Sequence, residues 1–292
     1  DGKIYSIPFQ RSTMVLYYNK DAFKEVGLDP EAPPTTWEEL AEYGQKLTDD
    51  GRYGVGIALN SGSAQWAFTG FCLQNSTDGQ NLMSEDGKSV YFNTPENVEA
   101  LQFWLDLQNE YKCMAEGIVQ WTDLPTQFLA GEVAMIYHTT GNMANIHDNA
   151  DFDFGTAFLP AHKRVGAPTG GGNFYISSGI SEDRVQAAWK FIKFATSTDR
   201  AAQWSLDTGY VATRQSCFDT DLIKDYYAEV PQASVAYEQL PYAKPELTTY
   251  NAAEIWRVLN DNIQAAVVGD MSAQEALDAA QEQAEEVLSE YQ

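Results

Sequence analysis

The chain has 292 residues, 44% hydrophobic and 21% charged, an ordinary globular composition with room for one large or two medium domains. Its formal charge of −24, from 42 acidic against 18 basic residues, sets aside nucleic acid and anionic membranes as partners, because a phosphate backbone needs a basic footprint. Three cysteines (Cys72, Cys113, Cys217) without CxxC spacing and three histidines (His138, His147, His162) without metal-ligand spacing point to no metal, no other cofactor and at most one disulfide. No apolar run approaches the ~20 residues of a membrane span, and the opening Asp1-Gly2-Lys3 carries no signal peptide, so targeting signals do not indicate a compartment.

Short β-like runs alternate with longer amphipathic segments, the pattern of an α/β architecture. Ile4–Ile7 and Val15–Tyr18 read as strands, and a short helix from Asn19 to Val26 is ended by Gly27. Thr36 with Glu39 forms a capping box opening a helix over Trp37–Leu47. A strand over Tyr53–Ala58 follows, then a helix over Trp66–Leu73 entered from the loop Asn60–Ala64. Thr94-Pro95-Glu96 caps a helix to about Tyr111, with Val98, Leu101, Trp104 and Leu105 on one face.

After a helix stopped by Gly131, the strand Val133–Tyr137 runs into Thr139-Thr140-Gly141 and a short helix. A strand ending in hydroxyls and glycine at a helix start presents backbone N–H groups beyond its carboxyl end, where open α/β sheets bind ligands. Gly170-Gly171-Gly172-Asn173 precedes a β-like run over Phe174–Ser178 and suits a backbone that a ligand or a crossing strand approaches closely. Helices follow over Arg184–Thr196, Thr198–Thr208 and Ala252–Val268, and Ser272 with Glu275 is a second capping box.

Aromatics make up 13% of the chain, and Trp66, Tyr210 and Trp256 stand at loop or helix-entry positions. An aromatic face packs well on a sugar ring, whereas Trp104 and Trp189 lie inside amphipathic stripes and are assigned to the core. No G-x-S-x-G elbow, P-loop or G-x-G-x-x-G is present, so the residues point to no catalytic centre, although 42 acidic residues leave a glycosidase pair open.

The segment Pro8–Phe23, with Gly27-Leu28-Asp29-Pro30, Pro33–Trp37 and Glu39-Leu40, resembles the family 1 extracellular solute-binding proteins of ABC importers, most of all their glycerol-3-phosphate-binding branch and more distantly maltose-binding protein. Phe128-x-x-Gly131-x-x-Ala134-Met135, Thr208-Gly209-Tyr210 and Gln274-x-Ala276-Leu277-Asp278 extend the match over the whole chain. The resemblance implies a type II periplasmic-binding-protein-like fold of two α/β lobes that close on a solute, an extracytoplasmic location (periplasmic or as a cell-surface lipoprotein) and membrane permease subunits as partners. It puts Arg11 and Ser12 near the first crossing between lobes and Trp66 and Tyr210 in the cleft. Thr139 and Thr140 fall on a hydroxyl-bearing loop, and Gly172 and Asn173 at the backbone contact.

Two departures qualify the resemblance. Family members run to about 400 residues, in line with two domains of usual length, so roughly 110 residues of the N-terminal lobe are expected to be missing. Residues 1–13 and 177–240 are then a partial N-terminal lobe, and 14–176 with 241–292 a complete C-terminal lobe. The glycerol-phosphate branch also carries an arginine on the late helix, where this chain has Trp256, and Arg257 is rotated ~100° away from it. An indole there coincides with a ring-stacking tryptophan of the maltose-binding branch and favours a sugar over a phosphate monoester. The expected function is carbohydrate capture for import without catalysis, with glycerol-3-phosphate or a glycerophosphodiester as the alternative ligand, and a glycoside hydrolase as the alternative class.

Overall fold

A 13-residue strand, β1 (Ile7–Asn19), opens the fold. It leads into α1 (Lys20–Glu25), where the Asn19 side chain accepts the Ala22 N–H at 2.9 Å, and Gly27 at φ +76° ends the turn. Next come α2 (Trp37–Leu47), β2 (Tyr53–Gly56), α3 (Ala64–Asn75), α4 (Pro95–Asn109), α5 (Leu124–Leu129), β3 (Val133–Thr139), α6 (Met143–Asn149), β4 (Phe154–Ala157) and β5 (Ala167–Phe174). The chain continues through α7 (Glu182–Ala195), α8 (Thr198–Thr208), α9 (Asp221–Glu229), α10 (Val235–Gln239), β6 (Ala243–Pro245), α11 (Ala252–Val267) and α12 (Ala273–Leu288). This computed structural model describes residues 3–60 and 62–292; the opening Asp1-Gly2 and Ser61 of the expected 60–64 loop lie outside them.

The strands form one mixed sheet in the order β2-β3-β1-β5-β6, with β4 also paired to β1. Met14–Tyr18 of β1 pair antiparallel with β3, and Leu16–Asn19 with β4. Ile7–Thr13 pair antiparallel with β5, through a shift in register between Pro8 and Gln10. On the opposite side of this half, the N–H and C=O of Arg11 bond those of Val211 at 3.3 and 2.7 Å. A single strand thus has one set of partners along its first half and another along its second.

The glycine run belongs to the middle of β5 and not to a loop before a strand, and the residues after Phe174 are not strand. The reason is the crossing with β1: a Cβ on Gly171, whose φ is +120°, would collide with the Gln10 carbonyl. The Ile4–Ile7 run joins the sheet only from Ile7, and β2 stops at Gly56, two residues before the alternation of its side chains does. Of the two expected capping boxes, Ser272 and Glu275 make both bonds. Thr36 accepts the Glu39 N–H at 3.2 Å, but the Glu39 carboxylate turns to the N–H and Oγ1 of Thr35, at 2.7 and 2.8 Å.

The larger core lies between the sheet and α3, α4, α11 and α12. Every residue of α3 is buried, and Leu101 and Trp104 of α4 are fully so. A second cluster joins Val15 and Tyr17 on the other face of β1 to Ile136, Val211, Val230 and Ala236, so that α10 rests on β1. The three cysteines are free and buried. Trp189 departs from its assignment to the core: it is 40% exposed, beside Phe191 and Phe194 at 57% each, and Ile192 is the buried residue of α7. An amphipathic stripe records that a face is apolar, but says nothing about whether a partner covers it.

Gln239 ties these layers together. Fully buried, it donates from Nε2 to Thr13 Oγ1 (3.1 Å) and the Met14 carbonyl (2.8 Å), and its Oε1 accepts the Leu159 N–H (2.9 Å). Thr13 Oγ1 in turn donates to the Pro168 carbonyl at 3.0 Å. Gln239→Leu preserves the approximate volume and strands these partners, so it should cost about 2–4 kcal/mol. Urea unfolding should report this as a lower midpoint at unchanged slope.

Candidate ligand-binding site

The change of partners along β1 puts several of the residues singled out in the sequence within reach of one another. Ser12 pairs with Gly170, and a Cβ on that glycine would sit 3.0 Å from both Ser12 Oγ and Trp66 Cζ2. The absent side chain is what lets the indole of Trp66 lie against the strand. Trp66 Nε1–H donates to the Thr169 carbonyl at 3.2 Å, which fixes the ring and leaves 8% of the residue exposed. Arg11, one step along β1 and so on the other face, donates from Nη2 to Asn173 Oδ1 at 2.8 Å. Gly172 lies opposite Gln10.

A second group forms where β3 ends. Tyr210, following the left-handed Gly209, places its ring against Gly141, where an added Cβ would come 2.5 Å from Tyr210 Cζ. Thr139 Oγ1 accepts the Gly141 N–H at 3.1 Å, so this backbone donor, expected to be free, is taken from within the turn. Thr140 is buried with no partner for its Oγ1 among the described residues. Tyr210 joins this turn to the crossing, because the next residue, Val211, bonds Arg11. Trp256, half-buried at the start of α11, stands apart from both groups in its bonding: its Nε1–H donates to the Leu247 carbonyl at 2.6 Å.

A cavity of about 280 Å³ opens on Trp66 and is lined by Asn60, Gly62, Ser63 and Trp121 as well. The indoles of Trp66 and Trp121 meet with centroids 5.8 Å apart and planes at 55°, forming an apolar corner. Asn60 organises it: its Oδ1 accepts the Trp121 N–H at 2.9 Å and the Ser63 hydroxyl at 2.7 Å. Trp121 was not among the expected residues, yet it stands in a loop just before a helix, the criterion that picked out Trp66. Another cavity, of about 360 Å³, lies by β2 at the far edge of the sheet from β5 and contains none of the expected residues.

Behind the corner, His138 stacks on Trp121 with ring centroids 3.8 Å apart, and its Nε2–H donates to the Trp121 carbonyl at 3.2 Å. Nδ1 is buried without a partner among the described residues. Burial pushes the His138 pKa from 6.5 down to about 4, against a smaller opposing effect of the Trp121 carbonyl. The ring is therefore neutral at pH 7 and acts as a flat support.

A strand that changes partners midway, with aromatic rings and hydroxyls near the change, is an arrangement able to hold a small solute. A family model described as bacterial extracellular solute-binding protein matches residues 1–232, and the chain belongs to that family. It is a solute-binding subunit of an ABC importer with the type II periplasmic-binding-protein-like fold, works outside the cytoplasm and has membrane permease subunits as partners.

Among its relatives is the sn-glycerol-3-phosphate-binding periplasmic protein UgpB of Salmonella paratyphi A, 31% identical across all of this chain and 68% of that protein. Among similar solved structures are UgpB from Mycobacterium tuberculosis in complex with glycerophosphocholine (27% identity, TM-score 0.88, all of this chain and 72% of that one) and the cyclic α-maltosyl-1,6-maltose binding protein from Arthrobacter globiformis (28%, 0.82, 99% and 73%). Among the described residues, no helix is long and apolar enough to cross a membrane.

The His138 support gives a pH signature. Its folded pKa lies below the unfolded one, so the stabilisation from a neutral ring is complete above about pH 6.5 and is lost as pH falls toward 4. Between pH 7 and 4.5 the loss should be on the order of 2–3 kcal/mol. His138→Gln should show that much less dependence in urea midpoints compared across the two pH values, together with altered tryptophan fluorescence.

Proposed function

We propose that the protein captures a carbohydrate, a mono- or oligosaccharide, and presents it for import without making or breaking a bond. The carrying observation is the corner of Trp66 and Trp121, two indoles at 55° over a cavity whose described polar lining is the amide of Asn60 and the hydroxyl of Ser63. Such a surface suits the apolar face and the hydroxyl rim of a sugar, and none of the described lining residues is basic. In this reading Ser12, Thr139, Thr140, Gly172 and Asn173 supply hydrogen bonds, Arg11 orients Asn173, and Tyr210 and Trp256 add stacking surfaces as the lobes close.

The relatives' names favour glycerol-3-phosphate or a glycerophosphodiester. Against a phosphate monoester stands the engagement of the arginines. Arg257 is tied to Glu254 at 2.6 Å and Asp261 at 2.8 Å on an exposed stretch of helix, and Arg11 is held by Asn173. A net charge of −24 adds nothing to the attraction of an anion.

The lobes in this proposal comprise residues 1–13 with 177–240 and 14–176 with 241–292, and α10 packs across the boundary onto β1. The uncovered apolar face of α7 fits a first lobe that is only partly represented by these residues.

Thermal melts of the full-length protein against sugars, polyols, glycerol-3-phosphate and its diesters test the ligand class. A ligand at 100 times its dissociation constant should add about 2.7 kcal/mol, and Trp66→Ala and Trp121→Ala should each abolish most of it. Stabilisation by glycerol-3-phosphate alone, lost in Arg257→Ala and kept in Trp256→Ala, would overturn the carbohydrate reading. Turnover of a sugar would reinstate an enzyme.

A further inference from the structure

Glu246 lies one residue past β6, where the chain leaves the sheet. The parallel register Ala167↔Ala243, Pro168↔Lys244 and Thr169↔Pro245, carried one residue further, sets Glu246 beside Gly170. Gly170 is the position whose missing side chain accommodates Trp66 and Ser12. On the other side of Glu246 in the chain, Leu247 is fully buried, and its carbonyl holds the Nε1–H of Trp256. Glu246 is thus bracketed by the contact point of one cleft tryptophan and the anchor of another.

Its chemical state is unusual for this protein. The residue is half-buried, and burial pushes its carboxyl above the ordinary range, with the charge of Arg11 opposing this in part. The carboxylates of Glu39, Glu99 and Glu275 are shifted the other way, because each accepts hydrogen bonds from neighbouring groups. Among the described residues no hydrogen bond or ion pair reaches the Glu246 carboxylate, and only its backbone carbonyl is engaged, by Thr248 Oγ1 at 3.0 Å. A carboxylate partly withdrawn from water without gaining a partner in the chain weakens the fold that carries it. Kept beside cleft residues, it has acceptor capacity left for a group from outside the chain.

We propose that Glu246 is a specificity-determining, ligand-facing residue of the cleft, accepting hydroxyl hydrogens from a neutral sugar or polyol and disfavouring a phosphate monoester. The proposal rests on the reading of this cleft as a carbohydrate site and deepens it. An ionised carboxylate offers two acceptor oxygens, and its bonds to O–H donors are short and strong, which suits a pair of vicinal hydroxyls. The same charge repels a phosphate, so one group supplies both the attraction to one ligand class and the discrimination against the other.

The test is titration calorimetry and thermal melts on the full-length protein and its Glu246→Gln variant, using a panel of mono-, di- and trisaccharides, ribitol, glycerol-3-phosphate and glycerophosphocholine. Without ligand, the variant should melt no lower than the parent, because neutralising an unpartnered carboxylate removes a cost. Affinity for the stabilising sugar or polyol should fall at least about tenfold, and any affinity for glycerol-3-phosphate should rise. A lower melting temperature without ligand would make Glu246 a structural residue and overturn the proposal. Unchanged sugar affinity in the variant would also overturn it, while leaving the carbohydrate reading intact. A parent protein that responds only to phosphate-bearing probes, or to no probe of the panel, would overturn both.

Discussion

The continuity of β1 is the constraint on which the other features depend. Thirteen residues in one strand must satisfy their backbone groups against β5 and Val211 along the first half and against β3 and β4 along the second. Partners change at Ser12, Thr13 and Met14, and there Ser12, Gly170 and Trp66 come together. The glycines of β5 follow from the same constraint. A side chain at Gly171 would strike the Gln10 carbonyl, and one at Gly170 would displace Trp66 from the strand. Gln239 then secures the point of change from behind, bonding Thr13, Met14 and Leu159 at once.

The aromatic corner is built in layers. His138, buried and neutral, backs Trp121, Trp121 meets Trp66, and Asn60 fixes the loop between them through its side-chain oxygen. Rings held this way lose little freedom when a flat ligand face arrives, which is the sense in which a preformed apolar wall aids binding. The polar members differ in how committed they are. Arg11 gives one hydrogen bond to Asn173, and Thr139 serves its own turn, whereas Thr140 Oγ1 and the Glu246 carboxylate have no partner among the described residues. On the proposed reading, residues already bonded within the chain shape the site, and those left without a partner are the ones with capacity for a solute.

The exposed aromatic face of α7 stands in contrast to the closed core under α3 and α4. Trp189, Phe191 and Phe194 project from a helix with Ile192 buried, near the pairs formed by Phe174 with Phe191 and Phe9 with Trp204. The two sides of the fold therefore differ in how far their apolar residues are covered. The side built on β2, β3, α3, α4, α11 and α12 encloses its core, and the side built on α7 and α8 leaves an apolar surface open. Two solved relatives that match all or 99% of this chain are longer, since the chain covers 72% and 73% of them.

Local features were legible in the residues alone. The helices opened by Thr36, Thr94 and Ser272 begin where their caps predict, Gly27 and Gly209 end helices in left-handed conformations, and Trp104 is in the core. These depend on neighbours within four residues, which a sequence displays directly. The family was also legible, because its motifs are contiguous runs. Long-range contacts set the rest: that four consecutive residues, Gly170 to Asn173, lie inside a strand, that Trp121 completes a corner with a residue 55 positions away, that Trp189 faces outward, and that nothing among the described residues bonds the Glu246 carboxylate. Each of these is a relation between segments distant in the chain. Periodicity and capping report what a residue prefers, whereas burial, pairing and the lack of a partner are set by what the fold brings to it.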